Sequence, residues 1–106
     1  MDELIQILDE IGLPYAYSHF AQGSVPEGPY ICYLVTSTNP FSADGRVYAD
    51  FANIELELYT DKPEPDILNK IAAVLNEHGI FYGVTETWIP DQGLYQTWFS
   101  FELEVQ

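Results

Sequence analysis

The sequence predicts an α+β fold in the order α-β-β-α-β-β, with two helices packed on one face of a mainly antiparallel four-stranded sheet. Three observations predict it. The segments Asp2 to Ile11 and Asp61 to Gly79 carry apolar residues at helical spacing. The segments Ile54 to Tyr59 and Leu94 to Val105 alternate apolar and polar residues, the period of a half-buried strand. Asp44-Gly45 and Pro90-Asp91-Gln92-Gly93 supply turn chemistry between strand-like runs. Two hairpins in one sheet, with both helices on its apolar face, would bury every apolar stripe.

In the first helix, Leu4, Ile5, Leu8 and Ile11 make the stripe, Asp2 and Glu3 suit the positive end of the dipole, and Gly12 and Pro14 stop it. Tyr15 to Pro29 opens with aromatics and passes into Gly23, Pro26, Gly28 and Pro29, so it reads as a short extended piece followed by a loop. Tyr30 to Thr36 is a dense apolar, β-branched run and predicts a buried strand. Thr38 to Arg46, TNPFSADGR, predicts a hairpin loop around Asp44-Gly45, because glycine tolerates the positive φ of such turns. Val47 to Thr60 is then a long strand, with Ile54, Leu56 and Leu58 on one face and Glu55, Glu57 and Tyr59 on the other. Pro63 and Pro65 are tolerated at or before the first turn of the second helix; Ile67, Ile71, Val74, Leu75 and His78 form its stripe and Gly79 its cap. Phe81 to Ile89 is a third strand. Leu94 to Val105 is the last, with Tyr95, Thr97, Phe99, Phe101, Leu103 and Val105 opposed to Trp98, Ser100, Glu102 and Glu104.

The chain has 106 residues, of which 47% are hydrophobic and 15% aromatic. That predicts one folded domain over residues 1–106 rather than a disordered tail. Cys32 is the sole cysteine, so no internal disulfide forms. The start, MDELIQILDE, lacks the basic and apolar regions of a signal peptide, and no run reaches the ~20 apolar residues that span a bilayer. A cytoplasmic protein is expected. Seventeen acids face three bases (Arg46, Lys62 and Lys70), for a formal net charge of -14. Direct nucleic-acid binding needs cations to displace phosphate counterions, and anionic membranes repel an acidic chain, so both classes are excluded.

Chemistry is sparse. There is no glycine-rich phosphate loop and no His-Glu-x-x-His. His78 reads as a helix-end residue and His19 as surface or loop packing. Cys32 lies inside a strand, where a thiol behaves as a small hydrophobe. No catalytic, cofactor-binding or metal residue is assigned. Glu55 with Glu57, and Glu102 with Glu104, would line one sheet face if their strands were neighbours. Such a face could hold a divalent cation, serve as an acid/base pair for sugar hydrolysis, meet a basic partner, or simply be solvated, and the solvated face is the favoured reading. Phe41 is an aromatic ring in a polar segment: it either folds back on the sheet or anchors another protein. Trp98 lies on the polar side of its strand, as an interface residue or packed against the first helix or a loop.

The segments LPYAYSHFAQG, PYICYLVTSTNPFSADGRVY, IELELYTDKPEPD, VLNEHGIFYGVTETWI and LYQTWFSFELEV, in this order, resemble small proteins encoded among the structural genes of tailed phages and prophages of Gram-positive bacteria. NPFSADGRVY and NEHGIFY carry most of the likeness. In size, acidity and α+β pattern the chain is similar to the tail-completion and head-to-tail joining proteins of long-tailed phages. The resemblance implies a non-catalytic protein that forms a homo-oligomeric ring at the head-proximal end of the tail, with tail and connector proteins as partners. It implies a location in the host cytoplasm during assembly and then in the virion. An acidic ring lumen would let DNA pass without sticking, and Phe41, Asp44 and Arg46 would lie at an assembly interface. Two rivals stand beside it: an acidic inhibitory module that mimics DNA toward a basic host protein, and a hydrolase using paired acids, which lacks a motif.

Overall fold

A computed structural model describes the backbone of residues 2–43 and 46–105, and the side chains of residues 2–36 and 51–104. Seven elements follow in order: α1 (Asp2–Ile11), β1 (Tyr15–Tyr17), β2 (Tyr30–Ala43), β3 (Arg46–Thr60), α2 (Pro65–Glu77), β4 (Tyr82–Ile89) and β5 (Leu94–Val105). The five strands form one sheet in the order β1-β2-β3-β5-β4. The α+β class holds, but the sheet has five strands and is mixed, because β1 runs parallel to β2 while the other pairs are antiparallel. β1 was expected only as an extended piece. Three residues are too few to show a period, and residues 18–29 make the long return crossing that a parallel pair requires.

The core lies on one side of the sheet. Leu4, Ile7, Leu8 and Ile11 of α1 and Ile71, Val74 and Leu75 of α2 pack with Ile31, Ile54, Leu56, Leu58, Phe99, Phe101 and Leu103. In α1 the buried stripe takes Ile7 in place of Ile5, which is 39% exposed. Leu4, Ile7, Leu8 and Ile11 are spaced three, four and seven apart along the facing stripe, and Ile5 sits at its margin. Leu56 is fully buried at the centre, where truncation to alanine costs ~2–5 kcal/mol.

The predicted loop from Thr38 to Arg46 is a correction. β2 runs on to Ala43 and β3 begins at Arg46, with Ala43 paired to Arg46 at the end of the ladder. Pro40 is tolerated there because β1 flanks β2 only from Ile31 to Tyr33, which leaves the outer side of β2 an edge beyond that point. β5 pairs with β3 only from Asp50 onward, so Arg46 to Ala49 and their β2 partners form a two-stranded arm beyond the sheet. The arm accounts for a radius of gyration of 15.0 Å and a long dimension of 51 Å. A compact domain of this length has a radius of about 13 Å.

α2 ends in a Schellman motif. Ile80 N donates to Leu75 O at 3.0 Å and Gly79 N to Asn76 O at 3.0 Å, with Gly79 at φ +70°. His78, the capping residue, ties the helices together: its Nδ1 is 3.0 Å from Glu3 Oε2 and its Nε2 3.1 Å from Glu10 Oε1. The carboxylate of Glu3, opposed by burial and reinforced by Glu10, holds the imidazole above its ordinary value of 6.5. A raised folded-state value means that the clamp contributes fully below the unfolded pKa and is lost as pH rises through the folded one. Melting temperature should therefore fall as pH rises from the ordinary value of 6.5 through the raised one. His78→Gln should remove that step and cost on the order of 1 kcal/mol at the acid end, as read by thermal melts across pH.

Candidate interaction surface

The helix-free face of the sheet gathers the polar half of each strand. β3 and β5 are neighbours, so Glu55, Glu57, Glu102 and Glu104 do share this face. Their register keeps them staggered: Glu55 stands opposite Ser100, Glu57 opposite Trp98, Glu102 opposite Asn53 and Glu104 opposite Phe51. No acid faces another across the β3–β5 ladder, which avoids the cost of directly opposed like charges. A groove of about 500 Å³ crosses the face, lined by Thr36, Asn53, Glu55, Ser100, Glu102 and the exposed Phe81 among others. Thr36 stands at a bulge in β2, where its hydroxyl donates to Asn53 O at 3.4 Å.

Beside the groove the face is aromatic. Phe20, from the crossing segment, meets Tyr30 edge-on at 5.4 Å, and Tyr30 stacks on Tyr59 at 5.1 Å. Gln96 donates to the Tyr59 hydroxyl at 2.6 Å, which donates to Glu57 Oε1 at 3.2 Å. Burial, with the Glu57 carboxylate beside it, pushes Tyr59 up to about 12. Burial likewise raises Glu57, opposed by the Tyr59 hydrogen bond and reinforced by Glu55.

Trp98 lies on this helix-free face, between Glu57 and Thr85 in the strand register, and is half-buried. It does not pack on α1. Its indole N–H is buried, with no acceptor among the described residues. Phe41 stands in β2 opposite Ala49, and Arg46 opens β3 opposite Ala43. Their side chains lie outside the described residues, as does Asp44 altogether. The structure thus puts the backbone of Phe41 and Arg46 on the arm and Trp98 on the sheet face.

Nucleophilic chemistry finds no support in this geometry. Cys32 and His19 both line a small cavity of about 170 Å³ under the crossing segment, a proximity that the sequence did not disclose. Yet burial and the Glu57 carboxylate push the thiol up, away from thiolate. His19 is exposed and its Nδ1 meets Ser18 Oγ at 3.3 Å. Among the described residues no group of three His, Cys, Asp or Glu side chains could hold a metal ion. No described helix is long and apolar enough to cross a membrane.

The surface that sequence reasoning missed is the β4 edge. β4 ends the sheet and pairs only with β5. The helices do not cover it: Val84 is 52% exposed, Trp88 48% and Phe81, just ahead of it, 96%. The signal available was the run FYGVTETWI itself, which carries one charge in an otherwise acidic chain.

With this geometry in hand, the chain matches a chain from the virion of a native gene transfer agent particle. The TM-score is 0.62 at 11% identity, covering 93% of this chain and 83% of that one. That likeness shows the fold. A second structure, the sheath/tube terminator of an extracellular contractile injection system, has a TM-score of 0.39 at 7% identity. This chain, matched over 100% of its length, spans 57% of that one. No protein-family model and no curated protein matches the sequence.

Two measurements follow from the acidic face. A raised folded-state carboxyl destabilises the fold progressively as pH rises above the unfolded value of Glu57. Glu57→Gln keeps an acceptor for Tyr59 and should raise the melting temperature at neutral pH by a few degrees, on the order of 1 kcal/mol or less. Sodium chloride should stabilise the chain by screening its self-repulsion. Magnesium at equal ionic strength should add nothing; an extra rise with magnesium would establish a cation site on this face.

Proposed function

We propose that the chain, acting as a single domain, is a non-catalytic structural protein of a phage-tail-like particle. Its role is tail completion or head-to-tail joining, carried out by ring assembly and docking to other tail or connector proteins. The observation that carries this reading is the fold shared, over nearly the whole chain, with a chain of a gene transfer agent virion. The sequence resemblance to small structural proteins of tailed phages points the same way. The architecture supports it physically: a long two-stranded arm, an uncovered edge strand and an acidic surface suit contacts between subunits better than they suit catalysis. A net charge of -14 keeps such a ring from binding the DNA that passes through it.

Phe41 and Arg46 on the arm, Asp44 in the sequence between them, and Trp98 on the sheet face are the proposed interface residues. Phe41→Ala should change stability by no more than ~1 kcal/mol, as read by thermal melts, and block assembly into particles. An unfolded variant would put Phe41 in the core instead. The role itself is tested by deleting the gene from the prophage that carries it and viewing the induced lysate by electron microscopy. Full heads beside free tails are expected for joining or completion. Missing tails would move the protein into tail building. Normal infectious particles would overturn the structural role in favour of an acidic inhibitory module, whose binding to a basic DNA-binding protein would weaken with salt.

A further inference from the structure

The sheet has two free edges, and the sequence treats them differently. On one side β1 is three residues long, and beyond Tyr33 the open edge of β2 carries Pro40, which has no N–H to offer an incoming strand. On the other side β4 presents eight residues without proline, lysine or arginine and with a single charge, Glu86. Natural sheets guard such edges against pairing. This one is left open, and the apolar side chains of Phe81, Val84 and Trp88 are left open with it. Val84 and Trp88 share one face of β4 and Phe81 lies just ahead of it on the other, and an uncovered edge with exposed apolar side chains is the form that receives an added strand.

The same chain holds a segment that lacks a strand. Among the described residues, β3 pairs from Arg46 to Ala49 only with β2, and β2 has no other neighbour there. A two-stranded ribbon is marginal by itself and gains from a third strand or an apolar surface. That arm also carries Arg46, one of three basic residues in a chain of net charge -14. We propose that the β4 edge of one copy receives the β2–β3 arm of the next copy, with Arg46 set against Glu86. The two surfaces differ, so the contact is head-to-tail, and it forms the proposed ring where the rotation between copies closes. This inference rests on the ring-assembly reading above and names the surfaces that form it.

The test is a charge-reversal cycle on the full chain, with assembly read by analytical ultracentrifugation up to high protein concentration and fold by thermal melts. Glu86→Arg and Arg46→Glu should each weaken association about tenfold or more, and the double reversal should recover most of the loss. Glu86→Arg lowers the overall negative charge, so general repulsion alone would strengthen association, the opposite result. Val84→Lys, at an exposed position, should weaken association to a similar extent whatever residue faces Glu86. If the wild type assembles and Glu86→Arg and Val84→Lys assemble equally well, the β4 edge is not the receiving surface, while ring assembly stands. If the two edge variants fail but the double reversal recovers nothing, Arg46 of the arm is not the occupant. A wild type that stays monomeric at every concentration overturns self-assembly, and this inference with it.

Discussion

The two-residue period of β3 sets what each side of the sheet can be. β3 is the middle strand, and every second side chain from Ala52 to Thr60 is buried. Ile54, Leu56 and Leu58 face the core that residues of both helices complete; Asn53, Glu55, Glu57 and Tyr59 turn the other way. A slip of one residue would put glutamates under the helices, so the register is fixed by the cost of burying charge. Ile31 then falls opposite Leu58, Phe99 opposite Leu56 and Phe101 opposite Ile54, and the strands on either side inherit the division. The length of β3 does the rest. It outruns β5, and what it outruns becomes the arm.

Net charge is the second constraint, and along the β3–β5 ladder the fold meets it by spacing. Three bases are too few to neutralise the seventeen acids of the chain. The stagger of Glu55 and Glu57 against Ser100 and Trp98 puts neutral side chains where like charges would otherwise face each other. Glu57 is the costly position, because aromatic neighbours dry the carboxylate while the Tyr59 hydroxyl returns only one hydrogen bond. His78 works the other way. Placed between α1 and α2, it turns two acids on one helix into a bond with the other.

Much of this was legible because periodicity reports burial directly. α1 and β5 have the bounds that their patterns predict, and the Gly79 cap follows from the only residue type that accepts its φ cheaply. The acids at Glu55, Glu57, Glu102 and Glu104 were read as a possible shared face, and the β3–β5 pairing makes them one. Three features were not legible. β1 has no period to read. The TNPFSADGR segment is polar at strand positions that no core selects, so composition pointed to a loop where the ladder continues to Ala43. Cys32 and His19 meet at one cavity only because the crossing segment folds back over the sheet, a tertiary event with no local signature.

The asymmetry of the two edges bears on the mode of the proposed self-association. Pairing β4 with β4 of another copy would be isologous and would close a dimer. It would bring two strongly acidic chains together with Glu86 as the charged residue on both strands, and it would leave each arm a bare ribbon. Pairing β4 with an arm uses up both unsatisfied features of the chain at once and places a basic residue near the one acid of the edge strand. It also leaves every copy with one arm and one edge to be matched, so growth ends where the rotation between copies brings the last arm to the first edge. Under the proposed assembly, one blunted edge, one open edge and one two-stranded arm favour a head-to-tail contact over a twofold dimer.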